Sequence, residues 1–197
     1  MKIINLNDIT EVKLSWIINQ LNSNKVGILP TDTIYGIHGK ALSEKVVEKI
    51  YELKKRDTKK PMIILISALE DLKNFDISIN SKIKKFLNKI WPDKVSVILP
   101  VKDFSYLHRG TKKLAFRLPE NQLLLKILQK TGPLISTSTN LADQPPAINL
   151  KNAKIYFKNR IDFYIDAGDI KSKPSTVIEI NGEKIKILRE GSVKLNR

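Results

Sequence analysis

Four short stretches of this 197-residue chain carry the side chains that could do chemistry. Thr31-Asp32-Thr33 follows the apolar run 26–29. Lys54-Lys55-Arg56 ends a candidate helix just ahead of Lys59-Lys60-Pro61. Ser136-Thr137-Ser138-Thr139-Asn140 closes an apolar run that begins at Leu134. Lys173-Pro174-Ser175-Thr176 enters a late apolar run, and Arg189 stands at the close of the last one. Short hydroxyl and amide side chains hold a polar small molecule by hydrogen bonds at fixed distance. Lysine neutralises phosphate as a point charge, and arginine does so with a two-pronged grip. The shared chemistry is the binding of a polar, anionic small molecule.

Each stretch also has a plainer reading. Cations at a helix C-terminus are favoured by its dipole and commonly face solvent. Residues 136–140 and 31–33 both suit turns or caps. Only the combination lifts the functional reading. Gly36 and Gly39-Lys40 bracket just Ile37 and His38, with Ala41 following, so the phosphate loop with four residues between its glycines is excluded. Gly36 and Gly39 read instead as turn glycines between a strand and a helix. No Ser-His-Asp set is evident, and His38 and His108 lack metal-ligand spacing, so neither takes a role.

The elements that must position these residues follow from periodicity. Strands are expected over 2–6, 26–29 (stopped by Pro30), 62–66, 95–101, 113–118, 134–138, 163–165, 176–180 and 185–188. Helices are expected over 8–22, from the Ser43 cap to about 54, and over 81–90 and 121–130. Alternation early and strands late point to an α/β fold, a single domain over 1–197 built on one open, twisted, mixed sheet flanked by helices. In such sheets ligands sit where strands end and loops diverge.

Composition narrows the class. Apolar residues make up 42% and charged residues 28%, which fits a globular domain with a real core. The 35 basic and 20 acidic residues give a net charge of +15, which favours polyanions, although a drift of composition toward Lys, Ile and Asn explains the charge equally well. There is no cysteine, which excludes disulfides, thiolate metal sites and a cysteine nucleophile. No apolar stretch has signal-peptide or membrane-spanning length, and the expected location is the cytoplasm.

Read in order, the motifs resemble those of the threonylcarbamoyl-AMP synthase family, the YrdC-like proteins. They are PTDTIYG, Lys54-Lys55-Arg56 with KKPMIILI, WPDKVSVILP, LAFRLP, STSTNLADQPP, KPSTVIEI and ILREG, and they cover residues 26–191. The chain is similar to the short, single-domain members. The resemblance implies an open α/β sheet around a basic concave cavity. It also implies the conversion of L-threonine, bicarbonate and ATP to threonylcarbamoyl-AMP and pyrophosphate. That product feeds a tRNA threonylcarbamoyl transferase complex.

The implied roles are specific. Lys54, Arg56, Ser138 and Asn140 would form the catalytic set. Arg56, Lys60, Lys113, Ser138, Pro146 and Arg189 would meet ATP. Thr33, Arg117, Ser136 and Ser175 would hold threonine, with Arg117 as partner of its carboxylate. Mg²⁺ would be bound through the ATP phosphates rather than by a protein cage, with Asp32 the acid placed to approach it or to cap its own turn.

The chain departs from the family pattern in places. Asp57 stands where a proline follows the Lys-x-Arg motif, Asp143 stands near a usual glycine, and Asp-Lys replaces Gly-Pro after Trp91-Pro92. Leu65 occupies a position where some members carry a threonine-contacting histidine. Two competing readings follow. One is a double-stranded RNA or ribosome-associated binding protein using the same basic cavity, with direct RNA contact. The other is a basic domain whose site has decayed, marked by Asp57 and Asp143.

Overall fold

The computed structural model describes residues 2–181 and 184–195, so the expected domain 1–197 extends past the described residues at both ends. The helices are α1 (Glu11–Asn22), α2 (Glu44–Lys54), α3 (Ser81–Ile90), α4 (Ser105–His108), α5 (Gln122–Thr131) and α6 (Leu150–Phe157). The strands are β1 (Lys2–Asn5), β2 (Gly27–Pro30), β3 (Tyr35–Lys40), β4 (Ile63–Leu65), β5 (Val95–Pro100), β6 (Lys113–Arg117), β7 (Leu134–Ser138), β8 (Phe163–Asp166), β9 (Thr176–Asn181) and β10 (Lys184–Arg189). They form one ten-stranded sheet in the order β1-β8-β2-β3-β7-β4-β6-β5-β9-β10. The sheet is mixed. β1, β2, β4 and β5 have parallel partners, while β2–β3, β3–β7 and β9–β10 run antiparallel.

Polar caps set the helix starts. Thr10 accepts from the Lys13 N–H, Asn80 from Ile83, Asn121 from Leu124 and Asn149 from Asn152. α1 therefore begins after Thr10, not at Asp8. Ser43 precedes α2 but makes no side-chain capping bond.

Two expectations fail at the second and third strands. Pro30 does not stop β2 but pairs with Tyr35 as its last residue. Gly36 and Gly39 lie inside β3 rather than in a turn. They are glycines because neighbours occupy the space a side chain would need. A Cβ on Gly36 would stand 2.6 Å from His38 Nε2, and one on Gly39 would stand 2.4 Å from Val46 Cγ1.

Side-chain alternation gives the sheet two unlike faces. On one face Tyr35, Ile37, Ile64, Phe116 and Ile178 pack with Val47 and Ile50 of α2, Leu87 of α3 and Phe157 of α6. On the other, Leu29, Leu65, Leu134 and Phe163 pack beneath Leu14, Ile17 and Leu21 of α1 and Leu124, Ile127 and Leu128 of α5. No helical residue of α1 or α5 packs over β5, β6, β9 or β10 in that second cluster. That half of the face is the floor of a cavity.

Candidate active site

The cavity holds about 430 Å³. Its floor comes from the second sheet face: Gly36 of β3, Ile63 and Leu65 of β4, Ala115 and Arg117 of β6, Ser136 and Ser138 of β7, and Val177 and Glu179 of β9. Register explains the grouping, because Leu65 pairs with Arg117, Ile63 with Ser136, and Gly36 with Ser138. Thr31, Thr33, Arg56, Ser175 and Arg189 close the walls.

Arg117 is buried at the strand end. Its Nη2 forms an ion pair with Asp32, its Nη1 donates to Thr33 Oγ1 at 3.1 Å, and its Nε donates to the Asp93 carbonyl at 3.2 Å. A guanidinium carries five N–H groups, so one remains on each terminal nitrogen. Asp32 also accepts from the Glu120 N–H at 3.1 Å. It is thus committed to Arg117 and the chain after β6, and stands as a clamp on the arginine rather than a free acid. Thr33 in turn shares a 2.9 Å hydrogen bond with Thr31 Oγ1, which also accepts the Thr33 and Ile34 N–H groups.

The Lys-x-Arg segment splits. Lys55 takes a left-handed conformation at φ 50° and ends α2, which sends its two neighbours to different places. Lys54 points inward and is 2% exposed, so it is not a solvated helix end. Its Nζ donates to the Ser138 carbonyl, to the Asn140 carbonyl at 2.8 Å and to Asn140 Oδ1 at 2.8 Å. Three acceptors meet three ammonium donors. Burial, with repulsion from Arg56 second, lowers the Lys54 pKa to about 7. Arg56 lines the cavity and donates from Nε to the Lys60 carbonyl at 3.0 Å and from Nη2 to the Pro61 carbonyl at 3.3 Å.

At the far wall Arg189 donates from Nη2 to the Ser175 carbonyl at 2.8 Å, with its outer side open to solvent. Ser175 Oγ shares a 2.9 Å bond with the buried Ser96. Lys113 pairs with Glu179 inside the cavity. Burial lowers the pKa of Arg56 and Arg117. Partial burial and then repulsion by Arg117 and Arg56 do the same for Arg189. Cations that disfavour one another in one concave space make a site for anions.

Of the residues singled out in the sequence, Thr33, Arg56, Lys113, Arg117, Ser136, Ser138, Ser175 and Arg189 line this cavity. Lys54 and Asn140 lie behind its wall, joined to it because Ser138 Oγ donates to Asn140 Oδ1 at 2.6 Å. Lys60 and Pro146 are exposed and outside the lining, although the Lys60 backbone anchors Arg56. Asp57 is exposed and accepts from the Lys59 N–H, and Asp143 is exposed with φ 61°. Neither enters the cavity. Asp32 was singled out in the sequence as an acid near the metal or a turn cap, and its pairing with Arg117 was not legible; the Asp93 carbonyl was missed altogether, since each reaches Arg117 across a long chain separation.

A family model described as Telomere recombination (Sua5, YciO and YrdC) matches residues 19–191. The chain belongs to the Sua5/YciO/YrdC family. Among members, it is 29% identical to a putative threonylcarbamoyl-AMP synthase of Methanocaldococcus jannaschii, covering 100% of this chain and 95% of that one. It is 33% identical to the threonylcarbamoyl-AMP synthase of Wigglesworthia glossinidia brevipalpis over 89% of this chain and 92% of that one. The crystal structure of P. abyssi Sua5 complexed with L-threonine superposes with a TM-score of 0.89 at 27% identity, covering 97% of this chain and 58% of that longer one. The Sua5/YciO/YrdC fold, with its large mixed sheet, is therefore the fold read from the sequence. No helix among the described residues is long and apolar enough to cross a membrane.

Proposed function

We propose that this chain is a threonylcarbamoyl-AMP synthase and a nucleotidyltransferase, joining L-threonine, bicarbonate and ATP into threonylcarbamoyl-AMP with release of pyrophosphate. The observation that carries this reading is the convergence of Arg56, Arg117 and Arg189 on one hydroxyl-lined cavity. The reaction brings together two anions that repel each other, a carbamate and a triphosphate. Neutralising and aligning them is the main catalytic task, and it needs no protein nucleophile.

The roles we assign are those the family resemblance implies, and the lining of the cavity supports them for all but Lys60 and Pro146, outside it, and Lys54 and Asn140, behind its wall. Arg117, held by Asp32 and Thr33, presents two free N–H groups to the threonine carboxylate, with Thr33, Ser136 and Ser175 beside it. Arg56 and Arg189 take phosphate oxygens, with Lys113 and Ser138 in the same cavity lining. Lys60 and Pro146 meet the nucleotide at the rim. Lys54 positions Ser138 and Asn140 through its three bonds. The threonine amine bonds to the bicarbonate carbon as a C–O bond of bicarbonate breaks and water leaves, giving a carbamate. A carbamate oxygen then bonds to the α-phosphorus as the bond to the β-phosphate oxygen breaks, and pyrophosphate leaves with that electron pair.

No cluster of three metal-ligating side chains occurs among the described residues, and Asp32 and Glu179 are in ion pairs with Arg117 and Lys113 of the cavity. That arrangement fits Mg²⁺ carried on the ATP phosphates, where it would neutralise charge. The product then passes to a tRNA threonylcarbamoyl transferase complex in the cytoplasm. The duplex-RNA reading has less to stand on, because the Arg117 side chain is only 5% exposed and faces a cavity rather than an outer surface.

The test is pyrophosphate release by the purified protein with ATP and Mg²⁺. Release should require both L-threonine and bicarbonate. Release without threonine, or none at all, would overturn the proposal.

A further inference from the structure

Ile63, Ser136 and His38 form one row across β4, β7 and β3, since they pair in register. Residues paired this way project from the same sheet face. Ile63 and Ser136 line the cavity, so His38 points from the cavity side. It is 0% exposed, and neither ring nitrogen has a hydrogen-bond partner of good geometry, the Leu29 backbone standing close enough only to raise its pKa. The ring leans along its own strand toward Gly36, filling the space where a Cβ would stand 2.6 Å from Nε2 and 3.3 Å from Ser136 Oγ. Gly36 is itself part of the cavity wall. Ser136 Oγ also lacks a hydrogen bond among the described residues. An orphaned buried polar atom costs about 1–3 kcal/mol, and native proteins seldom leave one without a purpose.

We propose that His38 and Ser136 together read the side-chain hydroxyl of the amino-acid substrate. The substrate hydroxyl bonds Ser136 Oγ, and Ser136 bonds His38 Nε2. A neutral imidazole offers one donor and one acceptor, and hydroxyls serve as either, so the chain closes in both polarities. Burial lowers the His38 pKa to about 3, with the Leu29 backbone opposing and Arg117 adding to the effect, so the ring is neutral at working pH. A neutral reader beside apolar Ile63 and Leu65 suits a hydroxyl and a methyl, whereas a carboxylate belongs with Arg117. The class selected is a β-hydroxy α-amino acid. Analogues without the hydroxyl are rejected because they leave the Ser136–His38 pair one partner short. His38 is a positioning residue that acts through Ser136.

The inference rests on the synthase reading, and one experiment separates the two. Pyrophosphate release is measured with L-threonine and with L-valine, which replaces the hydroxyl by a methyl, for wild type, His38→Phe, His38→Gln and Ser136→Ala. ATP affinity is followed in parallel by calorimetry. His38→Phe keeps a ring and loses both nitrogens, and His38→Leu serves if the phenyl ring prevents folding. The threonine-to-valine ratio of kcat/KM should fall at least ~10-fold in the Phe or Leu variant and in Ser136→Ala. It should recover in His38→Gln, with ATP affinity unchanged throughout. An active wild type whose ratio survives loss of the imidazole overturns this inference alone and leaves His38 as a packing residue. A wild type without threonine-dependent release overturns the synthase reading and this one with it.

Discussion

Arg117 and His38 project from the same sheet face, both buried, and they differ in what they touch. Arg117 meets a carboxylate, a threonine hydroxyl and a carbonyl before any ligand arrives. His38 makes no hydrogen bond of ordinary geometry, and the Leu29 backbone is the one group whose hydrogen bond raises its pKa. The contrast separates two uses of buried polarity. A charge cannot be left bare in the interior, so Arg117 comes with its scaffold built in. A neutral imidazole can wait for a partner at moderate cost, and it marks where the ligand completes the structure.

Arg56 stands between these extremes, a cavity cation bonded to two carbonyls among the described residues, and it offers the largest effect. Arg56→Ala should cut pyrophosphate release on the order of 10²–10³-fold with little change in thermal unfolding. Near-normal turnover would remove its phosphate role. On the scaffolded side, Asp32→Ala strips Arg117 of its counter-charge. It should cost about 3 kcal/mol in urea unfolding, the scale for breaking a buried pair. A loss below ~1 kcal/mol would mean that the pair is solvated in the native protein.

The waiting side is tested by acid. His38 has its pKa lowered from 6.5 to about 3 in the folded chain. Between those values the unfolded chain binds a proton that the native one refuses, so stability falls as pH drops through that window. From pH 7 to about pH 4.5 wild type should lose roughly 2–3 kcal/mol more than His38→Gln. Equal losses would show that the native protein accommodates the imidazolium.

The sequence discloses most of the sheet and the phosphate-facing residues, and the reasons it stops there are physical. α3 and β7 lie over the residues their periodicity marks out. β3 escapes because its two glycines imitate a turn. The cause of those glycines, the His38 ring and the Val46 methyl, lies in tertiary space. Tyr35 and Ile37 alternating with Gly36 and His38 was the available signal. The short helix α6 also went unread, since eight residues scarcely establish a period. Lys54 read equally as a surface cation because its acceptors, Ser138 and Asn140, are more than eighty residues along the chain. The hydroxyl and arginine types were legible. Their partners were not.

The sheet also closes its cavity with the last part of the chain. β1 pairs with β8, β5 pairs with β9, and Gly191 nests against the backbone of Pro174, Ser175 and Thr176 so closely that a Cβ would strike it at 2.2 Å. During synthesis, a nascent chain that has reached only β7 carries Arg56 and Arg117 but has no wall from β9 and no Arg189. Such long-range pairings come late in folding. The cavity is therefore complete only once the β9–β10 hairpin has docked along β5 and brought Ser175 and Arg189 to its wall.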